Sequence, residues 1–253
     1  RRQRQMCIRD SLRTEYLGKD IEYYQIIDST NKEAKSIINN NEATHGMMII
    51  TDNQKNGKGR LNNEWFMGPG KGLAMSIIYL KTLSIKKATL IPLASGLAIA
   101  KTLEDRGFKP KLKWPNDIIL NNKKVGGILC ESEIKKNIIN SFIIGVGLNV
   151  NETVNDFPKD LQYQATSLFI ETNNSFQREL ISAIITTFLE RSIQNFDSIM
   201  EEWLSFCAHL DKKVTFHYRD KEYSGVFKGI NSKGHAQIET ADKVLQFPSI
   251  YLK

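Results

Sequence analysis

The sequence predicts an α+β fold, with one mixed domain of strands and helices followed by a small all-β domain. Three observations carry this. Up to about residue 207, short apolar runs that fit strands are interspersed with longer runs of helical spacing. Residues 111–131 read as strand, corner, strand, turn, strand. From Asp211 onward, four short strands follow at even spacing within about forty residues, the pattern of a small barrel.

Residues 21–27 read as a strand, and Asp28-Ser29-Thr30-Asn31 offers several N-caps to a helix running to about residue 39. Taken alone, those polar residues are explained by capping. Residues 46–51 form a short apolar strand that runs into a basic, glycine-bearing loop, 52–60. Such a loop after a strand fits a phosphate cradle, because glycines let backbone N–H groups approach an anion. A mobile surface loop explains it equally well, and the spacing is neither a Walker loop nor a dinucleotide fingerprint. Trp65 and Phe66 close it. A strand at 72–81 and a helix over 88–105, stopped by Gly107, come next.

The 111–131 stretch has the most unusual content. Trp114-Pro115 fixes a bend, because proline locks φ and keeps its predecessor out of the α region. Lys113, Asn116 and Asp117 crowd around that corner, and Asn121-Asn122 marks a tight turn between strands 118–120 and 125–129. A solvated strand end with a structural Trp is the plain alternative. The strand 137–150 carries Gly145 and Gly147, which indicate either a close neighbour or a bulge. Residues 151–164 read as a loop, 175–195 as a helix capped by Ser175, and 197–207 as a second helix. The barrel strands are 213–218, 222–227, 235–238 and 244–247, with turns at 219–221 and 231–234.

No apolar run approaches the length of a membrane span, so no membrane partner is expected. The three cysteines and four histidines are scattered, which excludes a zinc-like spacing. An odd, sparse set of cysteines fits a reducing compartment, hence a cytoplasmic location. Residues 1–11 look foreign to the rest. Met6-Cys7-Ile8-Arg9-Asp10 can be encoded as ATG TGT ATA AGA GAC, which resembles a transposon end used in sequencing libraries. The segment therefore reads as a non-native extension, and it supplies +3 of the net charge of +7. The remaining mild excess suits anionic ligands and is weak evidence for nucleic acid, so no nucleic-acid partner is expected.

The basic loop at 57–60, Lys113 at its corner and the glycine-bearing strand end at 145–149 all suggest that an anion is bound. No Ser-His-Asp, Cys-His or metal cluster stands out, which fits a reaction needing no protein nucleophile. Adenylation is one. A carboxylate attacks the α-phosphate of ATP, and fixed positive charge must be supplied where two anions meet. Lys58, Arg60 and Lys113 suit that work.

Several runs together resemble biotin protein ligase: Ser29-Thr30-Asn31; Gln54 with Gly57-Lys58-Gly59-Arg60 and Trp65; Lys113-Trp114-Pro115-Asn116-Asp117; Lys124-Val125-Gly126-Gly127-Ile128-Leu129; and Gly145-Val146-Gly147-Leu148-Asn149. The resemblance covers residues 22–252, and the run from Lys113 is its most specific piece. It implies a class II aminoacyl-tRNA synthetase-like catalytic domain, a mixed sheet flanked by helices, over 12–208. An SH3-like β-barrel over 209–253 would follow. It implies that biotin and ATP give biotinyl-5′-AMP, and that a lysine of a biotin carboxyl carrier protein then displaces AMP. By the same resemblance Ser29, Thr30, Asn31 and Gln54 bind biotin, joined by Lys58, Gly59, Arg60 and Lys113. Gly57, Lys58, Gly59, Arg60, Lys113, Asn116 and Asn149 bind the nucleotide. Lys113 and Arg60 are the catalytic pair. Mg²⁺ is implied without assigned ligands, and a homodimer is allowed.

Two positions depart from the family loop, which usually reads Gly-Arg-Gly-Arg with another glycine two residues on. Lys58 stands for the first arginine and Asn62 for that glycine. Lysine keeps the charge but loses the planar fork, so looser retention of the intermediate is expected. Residues 57–63 and 151–164 both read as covers that open for the carrier lysine. Some family members carry an N-terminal helix-turn-helix, and none is visible here. The nearest alternative is lipoate protein ligase, against which the 113–117 run and the barrel favour biotin. A non-catalytic biotin-sensing regulator or RNA-binding module is the alternative of another class. The barrel strands lack the alternating aromatic and basic residues of an RNA platform.

Overall fold

A computed structural model describes residues 2–135, 138–218, 221–241, 243–248 and 250–252. The expected turn at Arg219-Asp220 lies outside these residues, and the side chain of Asn62 is likewise not described.

The chain opens with α1 (Arg2–Ser11), β1 (Ile21–Tyr24), α2 (Thr30–Asn39), β2 (Met48–Thr51) and β3 (Leu73–Tyr79). The segment set apart in the sequence as foreign is packed onto this body. Ile8 is fully buried, and Arg4 donates to Tyr23 Oη at 2.7 Å and to Asp52. The helix expected over 88–105 is two. A single turn, α3 (Ile85–Ala88), is capped by Ser84 Oγ, which accepts from Lys87 N. α4 (Ile91–Glu104) then restarts with Pro92 in its first turn, where a missing N–H does no harm.

β4 (Lys111–Lys113), β5 (Asp117–Leu120), β6 (Lys123–Lys135) and β7 (Ile138–Leu148) complete the main sheet. Asn121 and Asn122 both take left-handed φ values, 46° and 64°, as the tight turn between β5 and β6 requires. The sheet order is β1-β2-β3-β7-β6-β5-β4, with only β1 and β2 parallel.

α5 (Leu168–Thr172) was not expected from the sequence; Ser167 Oγ caps it by accepting from Ile170 N at 3.0 Å. α6 (Arg178–Gln194) begins later than Ser175. The Asn151 side chain holds both Phe176 N and Phe176 O, keeping that residue out of the helix. After α7 (Ile199–Ser205) come β8 (Lys213–Tyr218), β9 (Lys221–Ile230), β10 (Ala236–Glu239), β11 (Val244–Phe247) and β12 (Tyr251–Leu252). They form an antiparallel sheet of five strands, one more than expected, because the two-residue β12 pairs with β8.

β3 is buried along its whole length, and its period of two divides the core. Leu73, Met75, Ile77 and Tyr79 join the large cluster with α4, α6 and the small sheet's Phe216, Phe227 and Ile238. Ile78 packs instead with Ala34, Ile37, Ile49 and Ile143 under α2. Helices thus cover both faces of the main sheet, and α2 covers only part of its own face. The uncovered part of that face holds the site.

Candidate active site

A cavity opens where the N-terminus of α2 meets β6 and β7. Its lining combines Ser29, Thr30, Asn31 and Gln54 with Lys58, Gly59, Arg60, Lys113 and Asn116. The strand floor is made of small residues for a geometric reason. Gly127 faces Gly147 across the ladder and Leu129 faces Gly145. A Cβ on Gly145 would stand 2.3 Å from Asn31 Oδ1, and one on Gly147 2.4 Å from the Trp65 ring. The ladder is regular there, so close neighbours rather than a bulge explain these glycines.

The polar end of α2 is used in three different ways. Ser29 sits at the N-cap in extended backbone, yet its side chain makes no capping hydrogen bond. The cap comes from elsewhere: Gln54 Oε1 accepts from Thr30 N at 2.9 Å and from Thr30 Oγ1 at 3.2 Å. Asn31 acts as a bracket. Its Nδ2 donates to Leu129 O at 3.2 Å and Glu131 Oε2 at 2.7 Å, while its Oδ1 accepts from Ser76 Oγ at 2.6 Å.

Residues 57–65 form a compact loop that contributes Lys58, Gly59, Arg60 and Trp65 to the lining. Gly59 N donates to Asn63 O at 2.7 Å and Trp65 N to Gly57 O at 2.8 Å, around the 3₁₀ turn Arg60–Asn62. Gly57 is buried beneath Trp65; a Cβ there would meet Trp65 O at 2.4 Å. Arg60 Nη1 donates to Asn116 Oδ1 at 2.9 Å, and Asn116 is itself fixed by its Nδ2 on Ile128 O at 3.0 Å. Burial draws Arg60 below its ordinary pKa and Asp117 opposes the shift; a guanidinium stays charged at neutral pH regardless.

Asn149 is not brought to the cavity. It is 4% exposed, and its Nδ2 donates to Thr166 O at 2.9 Å. The 151–164 loop does not line the cavity either. The lining also includes residues to which sequence reasoning gave no ligand-binding role. Trp65 presents an Nε1 that is buried without a partner among the described residues. Lys124 pairs with Asp117 at 2.6 Å and lies 5.8 Å from the Trp65 ring centre. Only their places inside the quoted runs could have drawn attention to them.

The model of the Biotin/lipoate A/B protein ligase family matches residues 23–149. The Bacillus subtilis bifunctional ligase/repressor BirA is 32% identical over 243 residues, covering 94% of this chain and 74% of the relative. The chain belongs to the biotin protein ligase family. Another relative, the biotin–[acetyl-CoA-carboxylase] ligase of Paracoccus denitrificans, is 26% identical over 218 residues, covering 82% of this chain and 89% of its own. A solved biotin protein ligase from Aquifex aeolicus in complex with biotin and ATP superposes with a TM-score of 0.79 at 26% identity, covering 93% of this chain and 99% of that one.

This ligase has the α+β architecture that its sequence predicts. Among the described residues, no helix is long and apolar enough to cross a membrane, and no three His, Cys, Asp or Glu side chains gather to hold a metal ion. Asp117, a carboxylate in the cavity, is engaged by Lys124. Glu64 is a second carboxylate of the lining, and one or two such oxygen donors are what Mg²⁺ ordinarily takes from a protein when phosphates supply the rest.

Proposed function

We propose that this cavity binds biotin and ATP end to end and joins them. The protein is an ATP-dependent biotin protein ligase. A biotin carboxylate oxygen attacks the α-phosphate, pyrophosphate leaves, and biotinyl-5′-AMP forms. The ε-amine of a lysine on a biotin carboxyl carrier protein then attacks the acyl carbon, loses a proton, and releases AMP.

The observation that carries this reading is the make-up of the cavity lining. It combines the neutral hydroxyls and amide of Ser29, Thr30 and Gln54, which suit a ureido group needing both donors and acceptors, with the cations Lys58, Arg60 and Lys113, which suit a reaction that brings two anions together. Lys113 and Arg60 take the catalytic roles, with Lys113 at the bond-making centre. Asn116 holds Arg60 from behind. Asn31 serves biotin indirectly, by fixing the α2 terminus to the strand floor. Asn149 supports the strand end away from the ligands. The unpartnered Trp65 N–H is a donor that a ligand acceptor would satisfy. Mg²⁺ enters with ATP, held mainly by the phosphates as substrate.

The three free cysteines support action in a reducing compartment, the cytoplasm. For a homodimer the test is mass in solution, since a value near 28.9 kDa rules it out. The deciding experiment supplies ATP, Mg²⁺ and either biotin or lipoate, and follows pyrophosphate release and acyl transfer to a carrier domain. Biotin-dependent release and transfer are expected. Lipoate dependence would select lipoate protein ligase, and no release with either acid would leave a binding module. Lys113→Ala should fold and lose about 10²–10³-fold in release rate.

A further inference from the structure

Lys113 ends a strand that the main sheet holds on one side only. β4 is three residues long and terminates the sheet order, with Lys113 in register with Asp117 of β5. Its other side is held by the segment leading into the small sheet. Leu112 N donates to Phe206 O at 2.8 Å, and Ala208 N donates to Leu112 O at 2.9 Å. One residue beyond Lys113, the buried Trp114 donates its Nε1 to Gly234 O at 3.1 Å.

Gly234 closes the 231–234 turn of the small sheet, which is wound around one side chain. Asn231 Oδ1 accepts from Lys233 N at 2.9 Å and His235 N at 3.1 Å, Gly234 N donates to Asn231 O at 2.8 Å, and Asn231 Nδ2 reaches Gln246 Oε1 at 2.9 Å. Gly234 takes φ +73°, and a Cβ there would lie 3.1 Å from Thr89 O and 3.3 Å from the Leu93 side chain. The turn is therefore seated between the α3–α4 connection and the Trp114 ring.

We propose that the 231–234 turn, through Gly234 O and Trp114, is a positioning device that sets where Lys113 stands in the cavity, an inference that rests on the ligase reading above. Asn231 is its organising residue, at the surface and outside the cavity lining. A three-residue strand gives Lys113 little rigidity of its own. Displacement of a reacting group by about 1 Å can cost about 10²-fold in rate, even when the cause is remote.

Asn231→Ala removes the acceptor that shapes the turn. The expected result is a fall of about tenfold or more in kcat for biotin-dependent pyrophosphate release, with KM for biotin nearly unchanged. Asn231→Asp keeps an acceptor oxygen for both N–H groups and should retain the parent kcat. In a Lys113→Ala background, Asn231→Ala should cost no further rate, because a device acting through Lys113 has nothing left to position. Trp114→Phe, which keeps a ring and deletes the N–H, tests the same link from the other side and should show the same non-additivity. An unchanged kcat in folded Asn231→Ala would overturn the proposal, as would equal losses with and without Lys113. A parent protein without biotin-dependent release would instead defeat the ligase reading, a distinct outcome.

Discussion

Residues 57–65 and 151–164 are both polar, both carry glycine or proline, and both follow a strand of the main sheet. In 151–164 several polar groups bond within the protein itself. Asp156 caps the Thr153 turn and pairs with Lys71 at 2.6 Å. Ser167 Oγ donates to Glu152 O at 2.6 Å, and Phe157, 4% exposed, packs 6.0 Å from the Phe66 ring. In 57–65 a few backbone bonds close the loop, the basic side chains line the cavity, and Leu61 stands 74% exposed at φ +54°. Two segments of similar composition thus divide into a strap packed on the body and a loop that lines the cavity, the working loop of the proposed reaction. Composition cannot separate them; what separates them is where the fold places each segment, one packed against the body and one along the cavity.

The largest expected effect falls on the strap. Phe157→Ala should lose about 3–5 kcal/mol of stability, as deletion of a buried ring does, while the folded fraction keeps its KM for biotin and ATP. Denaturant unfolding beside steady-state kinetics checks this, and a changed KM at full folding would break the distinction.

Next comes Glu152, at the root of the strap. It is fully buried, accepting from Val150 N at 2.8 Å and Gly68 N at 3.3 Å, and burial pushes its carboxyl up to about 7. Between about pH 4.5 and 7 the folded chain keeps a proton that the unfolded chain has released, so this group's contribution falls as pH rises. The sum over the window is on the order of 3 kcal/mol. His45, His209 and His235, held below their ordinary value chiefly by burial, pull the opposite way in the acid part of that range. The measurement is therefore the difference between parent and Glu152→Gln in Tm from pH 5 to 8. The parent should fall more steeply with pH.

Arg60→Ala probes the working loop. Losing charge-assisted hydrogen bonds worth about 1.5–3 kcal/mol should speed loss of biotinyl-5′-AMP by roughly ten- to a hundredfold, more than it slows formation. Labelling of bystander proteins reads this directly, and labelling confined to the carrier would count against the role. A smaller signal should appear in hydrogen exchange with a nonhydrolysable adenylate analogue. Residues 57–65 should gain protection and 151–164 should not. The smallest effect is Leu61→Ala, within about 0.5 kcal/mol of parent stability, since the side chain is exposed.

Much of this protein was legible before its fold. The strands, the α2 helix and the tight Asn121-Asn122 turn follow from apolar periodicity and from asparagine's tolerance of left-handed backbone, both local properties of the chain. The cations at 58, 60 and 113 were evident as charge beside glycine and proline, and the cavity lining includes all three. Only the tertiary structure decided how the remaining polar residues are used. Asn31 could be a cap, a ligand or a bracket until Glu131, a hundred positions away, supplies its acceptor. Gln54 becomes the cap of α2 because a neighbouring strand brings it there. Asn149, for which the resemblance implies a place beside the nucleotide, donates its amide to Thr166 O. A backbone preference is set by a residue and its immediate neighbours. The partner of a buried polar group is set by whichever distant segment the core packs beside it, and that is a property of the folded chain alone.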